Sequence, residues 1–410
     1  MRIVLSVLKW IAIFLALVLL AIAGLPQLPV AKDMLGKGKY AAFLEAEAVP
    51  LDLGAAEAGL SFERSFYDHS LFMLNEIHGY ADVQTLDLAM MRHLHEELGI
   101  RTYYAELSPA QAMAFNAYVL DGDDAPARRV FDGWAETATQ WGNKEFFAKL
   151  GAVRSFNEAQ PDEGKIVFVG VDTINGTVVP EAFANRPWPS EVPGFTDLAS
   201  IRAVNDLLLK NALLRPSDVG RYTHILDNTG LLKALPGGAG EKFYGLWGLF
   251  HGGQVQINGL QPLAMRLGAE GGHFEGKVAT VTSICVADCF NMMPARGLPG
   301  PLQGPDGEEF TLIPMTFDNP YLSRMRGLGE VLDVMGDADG LLIPTRHPDS
   351  PYTDGPRLVT QTGFLAMLQS FEYDGAAADA SDAFIAHQGS AGLTPWKGEA
   401  FDITGEALKP

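Results

Sequence analysis

Between Ser70 and Gly79 the chain reads Ser-Leu-Phe-Met-Leu-Asn-Glu-Ile-His-Gly, an apolar run that stops at Asn75, Glu76, His78 and Gly79. An amphipathic pattern follows at once from Asp82. A short apolar run closed by glycine ahead of a helix is how a buried parallel strand reads. Open α/β sheets place their ligands just past the carboxyl ends of such strands. A carboxylate and an imidazole two positions apart on that edge can do acid–base work or hold a metal. The residues alone also allow Glu76 as a helix cap and His78 as a turn residue, so the rest of the chain must decide.

The next segments repeat the arrangement. Asp82 opens a helix to about residue 98, with Val83, Leu86, Met90, Leu94 and Leu98 as its buried stripe and Gly99 as its stop. Residues 100–108 then read as a strand rich in β-formers ending at Glu106, and Ser108-Pro-Ala-Gln111 carries a capping box with proline at the first helical position. Strand–helix–strand makes a right-handed parallel crossover, with Glu76, His78 and Glu106 on one sheet edge. If these two strands are neighbours, the three groups lie within ~5–10 Å. Residues 165–172 form a third strand, ending in Asp172, and residues 242–251 a fourth, delivering His251 into a glycine turn. A short helix over 260–267, a strand over 277–286 and a last strand over 340–344 complete the pattern; His347 follows the last as a minor site candidate. His69, His93, His95 and His224 read as solvated, and the C-terminal 50 residues as surface helix and loop.

Around these strands, residues 123–160 read as helices joined by Gly133 and Gly142, with Trp134, Trp141, Phe146 and Phe147 as core or pocket wall. Residues 176–197 are proline-rich and irregular, and helices follow over 201–214 and 221–235. The expected fold class is α/β: a mostly parallel central sheet flanked by helices, with helical insertions at about 123–160 and 176–240, behind an N-terminal membrane segment. The 410 residues, 47% hydrophobic, suffice for that core.

The N-terminus sets Arg2 and Lys9 around an apolar stretch and continues with an unbroken apolar run over 10–23. That is an export signature, so residues 1–31 are expected to be a signal anchor or a cleaved signal peptide, and residues 32–410 the folded body. The body would then sit in the cell envelope, single-pass anchored or periplasmic/secreted, with the membrane as a partner through the N-terminal segment. A helix is expected around residues 37–48. A net charge of −20 excludes a general nucleic-acid binder. The two cysteines, Cys285 and Cys289, give no disulfide framework and read as buried thiols, a local disulfide staying open in an oxidising compartment. No P-loop, dinucleotide fingerprint or G-x-S-x-G elbow occurs.

Glu76, His78, Glu106, Asp172 and His251 thus collect at strand ends. Two mechanisms suit them. In one, a histidine takes a proton from water, a carboxylate orients it, and the second histidine polarises a carbonyl or steadies the oxyanion. In the other, the same residues bind a divalent metal that acidifies water.

The order Asn75-Glu-Ile-His-Gly79, Tyr104-Ala-Glu-Leu-Ser108, Val169-Gly-Val-Asp172 and Leu249-Phe-His-Gly-Gly253 resembles the erythromycin esterase-like group, itself similar to the Tiki and ChaN-like haem-uptake superfamily. The resemblance covers roughly residues 65–290. It implies a hydrolase acting on an ester or related acyl bond of a small-molecule substrate. Its catalytic residues would be Glu76, His78, Glu106 and His251, with His78 as general base and Asp172 and Tyr104 supporting. Asn75 stands where that group usually has glycine, and the single residue Ile77 between Glu76 and His78 is closer to the haem-uptake branch. That branch implies the alternatives: a haem or divalent-metal binding protein using His78, His251 and Tyr80 or Tyr104, or a metal-dependent peptidase with Glu76, His78 and His251 as ligands.

Overall fold

A computed structural model describes residues 27–55, 58–174, 191–214, 219–296, 298–304, 308–319, 323–363 and 371–397, with isolated positions besides. Most of the expected membrane segment at residues 1–31 lies outside the described residues, as does most of the proline-rich stretch 176–197. Among the described residues no helix is long and apolar enough to cross a membrane.

The first described helix, α1 (Gln27–Glu47), starts well ahead of the expected residue 37. The reason is a tertiary anchor: buried Asp33 accepts from Arg326 Nη2 at 2.6 Å and from Arg357 Nη1 at 3.2 Å. After β1 (Val49–Leu51) comes β2 (Leu71–Glu76), buried at all six positions, and then α2 (Asp82–Leu98). Val83, Leu86, Met90 and Leu94 are buried as the spacing predicts, and Gly99 stops the helix in the left-handed conformation. Strand β3 (Thr102–Ala105) leads into α3 (Pro109–Asp121) through the Ser108–Gln111 capping box. Then follow α4 (Ala125–Glu136), α5 (Lys144–Glu158), β4 (Val167–Gly170), α6 (Leu198–Leu214) and α7 (Arg221–Ala234). Strand β5 (Phe243–Gly248) runs straight into the single turn α8 (Leu249–Gly252), and α9 (Leu263–Gly268) precedes the long β6 (Val278–Ala287). The hairpin β7 (Phe290–Pro294) and β8 (Phe310–Pro314) lies outside the main sheet. The small strands β9 (Asp318–Asn319) and β10 (Ser323–Met325) come next, followed by α10 (Leu328–Met335) and β11 (Gly340–Ile343). The chain closes with β12 (Gln361–Thr362), α11 (Ala377–Ala380) and β13 (Ala383–Gln388).

Eight strands form the central sheet in the order β1-β11-β13-β6-β2-β5-β3-β4. From β13 to β4 every pairing is parallel; β11 and β1 add antiparallel pairings at the other side. The α/β expectation with a mostly parallel sheet flanked by helices holds. Helices α2 to α5 pack one core around Phe72, Leu74 and Phe168, while α6, α7 and α9 pack another around Met73, Val169 and Trp247. A third core joins α1, α10 and α11 to β11 and β13.

Several expectations are corrected. Strand β5 lies between β2 and β3, so the strands ending in Glu76 and Glu106 are not neighbours. The last strand is β13, inside the C-terminal 50 residues expected to hold only surface elements; it pairs with β6 because its apolar run Ala-Phe-Ile-Ala fills the gap beside that strand. Helix α9 begins at Leu263 instead of residue 260, because Pro262 takes the N-cap position. Cys285 and Cys289 form a disulfide across the turn that ends β6. His224 is buried, its ring against the Asn228 amide at 3.0 Å one helical turn on. Strand β11 runs against the parallel strands, so His347, which follows it, falls at the opposite end of the sheet from the clustered histidines.

Candidate active site

The carboxyl ends of β2, β5 and β3 meet at one place, and each supplies part of it. Glu76, the last residue of β2, is 2% exposed and places Oε1 2.8 Å from His78 Nδ1. A carboxylate can only accept, so His78 Nδ1 carries the proton and Nε2 presents a lone pair. The backbone beneath that imidazole is tied down. The Asn291 amide donates to the His78 carbonyl at 2.7 Å, and the Gly79 carbonyl accepts from the backbone amides of Met292 and Leu393, each at 3.0 Å. Gly79 has a φ of +109°, and a Cβ there would meet the Asn291 side chain at 2.2 Å, so only glycine closes this turn. The Trp141 ring, carried on the turn between α4 and α5, lies 4.5 Å from the imidazole centroid at 60°.

A second histidine faces the first across β5. A Cβ built on Gly248 would lie 3.0 Å from His78 Nε2 and 3.6 Å from His251 Cδ2, so the two rings converge over one bare α-carbon. His251 Nδ1 lies 2.8 Å from the Tyr222 hydroxyl. Its Nε2 lies 3.1 Å from Glu106 Oε1 and 3.2 Å from Arg221 Nη1. Glutamate only accepts and arginine only donates, so that nitrogen serves one of them at a time. Glu106 also accepts from the Gly248 amide at 2.8 Å and from Arg221 Nη2 at 2.6 Å. Arg221 forks onto Asp172, with Nε at 2.9 and 3.0 Å from the two carboxylate oxygens and Nη2 on the same carboxylate.

Where β3 and β5 part, side chains replace the ladder. Their pairing stops at Tyr103–Tyr244; beyond it the Leu246 amide donates to the Tyr103 hydroxyl, the Trp247 indole to the Tyr104 carbonyl, and the Gly248 amide to Glu106. The two strands are thereby held apart at the edge where the histidines stand.

Electrostatics follow the geometry. Burial works against charge on His78, but the Glu76 carboxylate and its hydrogen bond, with Glu106 farther off, outweigh burial and the opposing Arg221, so the imidazole pKa lies above its ordinary 6.5. For Glu106 burial favours the neutral form. The hydrogen bond and charge of His251, with His78 and Arg221, hold the carboxyl well below the usual range instead. Arg221 is held firmly charged: Asp172 and Glu106 override the cost of its burial.

A cleft of about 220 Å³ opens on these groups, lined by Glu76, His78, Gly248 and His251 together with Gln140 and six apolar residues. Two larger hollows, of about 480 and 570 Å³, lie elsewhere and contain none of these residues. Among the sequence-derived candidates, the structure brings together Glu76, His78, Glu106 and His251, with Asp172 joined through Arg221. Tyr104 stands apart, its hydroxyl 2.6 Å from Thr229 in the core. Tyr80 turns its hydroxyl onto the Met315 carbonyl at 2.8 Å. Arg221 and Tyr222 were not singled out by sequence. The available signal was a deficit: three carboxylates at strand ends with no cation beside any of them.

The donors do not fit a resident divalent metal or a haem held by two protein ligands. Among the described residues no three His, Cys, Asp or Glu side chains converge as a metal-binding group. Arg221 occupies the position between Glu106 and Asp172 that a cation would need, and His251 has both ring nitrogens engaged. His78 Nε2 and the second oxygen of Glu76 are all that is left.

No family model and no curated protein matches the chain. Solved structures do, three of them over most of the chain. A Bacillus cereus protein is 15% identical with a TM-score of 0.57, covering 88% of this chain and 99% of its own. A succinoglycan biosynthesis protein is 13% identical with the same TM-score and coverage. The erythromycin esterase EreC, as a histidine-to-asparagine mutant in an open conformation, is 12% identical with a TM-score of 0.51, covering 85% of this chain and 98% of its own. At these identities the likeness is one of architecture, and it extends over nearly the whole described body: the chain has the fold of the erythromycin esterase structure.

Proposed function

We propose that this chain hydrolyses a carboxylic ester or related acyl bond, with His78 as the general base for water. The observation that carries this reading is the Glu76–His78 pair. It fixes the proton on Nδ1 and leaves Nε2 free beside Gly248, in a cleft whose far wall is His251 backed by Arg221. Water gives a proton to Nε2 as its oxygen attacks the carbonyl carbon. The charge that the acyl oxygen gains lies beside the imidazolium forming at His78, which then returns its proton to the departing alkoxide. Glu106 and Asp172 keep Arg221 in place, and Tyr222 orients His251. An esterase among the structures of like fold supports the reaction class. The basic-then-apolar N-terminus and the Cys285–Cys289 disulfide support an exported protein of the cell envelope, anchored through residues 1–31 or released from them.

The test is turnover of a simple aryl ester by purified wild type and His78→Ala. Loss of roughly 10²–10⁴-fold with an unchanged circular dichroism spectrum is the expected result for a removed general base. Full turnover in the variant overturns the assignment.

A further inference from the structure

The walls of the same cleft say what kind of ester it takes; this rests on the hydrolytic reading above. Besides the site residues the lining is apolar (Ile77, Leu249, Phe250, Met293, Met315 and Phe371) but for Gln140, whose amide already donates to the Met292 carbonyl. Phe250 is 40% exposed and its ring meets that of buried Phe371 at 5.1 Å, so one aromatic face, backed by a second ring, stands uncovered at the cleft. Met315 is fixed by its backbone, its amide on the Cys289 carbonyl at 3.0 Å and its carbonyl on Tyr80, while its thioether and that of Met293 can adapt to shape. The volume of about 220 Å³ is below the roughly 300–1,000 Å³ of sites that enclose drug-sized ligands.

Charge narrows the choice further. Among the described residues, no lysine or arginine lines the cleft. The cation behind its far wall, Arg221, has its fork committed to Asp172, Glu106 and His251. Glu106 and Asp172 thus already share that one guanidinium, while Glu76, on the cleft wall, has only His78 as a partner and its Oε2 is buried without a hydrogen-bond partner. A substrate carboxylate would meet like charge with nothing to receive it.

We propose that the substrate is a neutral ester recognised through a compact apolar group, a short alkyl chain or a single aromatic ring, and that esters bearing a carboxylate are rejected. The phenylalanine pair and the two methionines hold the apolar group while the carbonyl lies between His78 and His251.

The experiment compares kcat/KM of the full-length protein for p-nitrophenyl butyrate, palmitate and hemisuccinate at pH 8, in low salt and in 0.5 M NaCl. The butyrate is expected to exceed both others at least five-fold, and the gap to the hemisuccinate to narrow in salt as like-charge repulsion is screened. Phe250→Ala should raise KM for the butyrate several-fold with little change in kcat. A butyrate preference below five-fold over either competitor, or an unchanged KM in Phe250→Ala, overturns the proposal. His78→Ala separates the two levels. Turnover that survives in it sinks the hydrolytic reading, whereas His78-dependent turnover without discrimination sinks only the substrate assignment.

Discussion

Glu76 Oε1 lies 2.8 Å from His78 Nδ1, while the buried Glu76 Oε2 has no hydrogen-bond partner. The carboxylate therefore spends its charge on one imidazole, and that imidazole is held above its ordinary pKa of 6.5. A base must be neutral to act, so kcat/KM should fall on the acid side with a midpoint above 6.5. Glu76→Gln removes the charge and leaves burial to dominate, so the midpoint should move to lower pH as kcat drops. A pH–rate profile of both proteins decides it; an acid limb that stays put in Glu76→Gln would detach Glu76 from His78. The same raised pKa adds stability that is complete below the unfolded imidazole pKa and fades as pH rises through the folded one.

Arg221 is the charge on which the second half of the site depends. Removing it by Arg221→Ala leaves Glu106 and Asp172, both largely buried, facing each other and His251 without a counter-ion. Breaking a fully buried pair costs about 3–5 kcal/mol, but this guanidinium is 42% exposed, and roughly 1–3 kcal/mol is expected. The loss should be greatest near neutrality. It should shrink as pH falls through the range where Glu106 takes up its proton, because the depressed carboxyl contributes stability only above that range. Urea titrations in steps from about pH 7 down to about pH 2 measure this; a loss that does not shrink toward the acid end would mean the ion pairs carry little of it.

How much of this was legible before the structure depends on whether the signal was local. The strand ends at Glu76, Glu106, Asp172 and His251 each sit where an apolar run meets a turn, a pattern contained within about ten residues, and the structure places all four on one edge. The strand order was not local. Strand β5 slips between β2 and β3 from well over a hundred residues downstream, and nothing in the Ser70–Ser108 stretch records that. Strand β13 was missed because no helix follows Gly389, which turns the chain at its end with φ +74°, to complete a strand–helix unit. Arg221 opens a helix whose N-cap, Gly220, makes no side-chain cap, and its partners come from two distant strands.

The Cys285–Cys289 disulfide closes the turn between β6 and β7, and β7 carries Asn291 to the His78 carbonyl. Closing so short a loop is worth about 2 kcal/mol in the chain-entropy account. Reduction, or the Cys285→Ser/Cys289→Ser pair, should lower Tm by several degrees and lower kcat more than it changes KM. Thiol counting on the native oxidised protein comes first: two free thiols would remove the premise.

Beneath the site a buried ion pair, Lys149 on Asp87, joins α5 to α2. Asp87 also accepts from the Tyr103 and Tyr244 hydroxyls at 2.7 Å each, and Tyr103 in turn receives the Leu246 amide at the point where β3 and β5 separate. Lys149→Met keeps the apolar stem but strands a carboxylate with two phenols, at a cost of about 3–5 kcal/mol. By contrast Gly248→Ala, whose backbone at φ −58° and ψ 144° suits alanine, should cost the fold under about 1 kcal/mol. Its methyl would press on the His78 ring, 3.0 Å from Nε2 and 3.1 Å from Cε1, and fill the space up to His251, so kcat/KM should fall at least ten-fold. Chemical denaturation beside ester kinetics separates the two. Lys149→Met should lose stability first and keep activity while folded, and Gly248→Ala should do the reverse. Full activity in Gly248→Ala would mean that the space over that α-carbon is not where the reacting carbonyl sits.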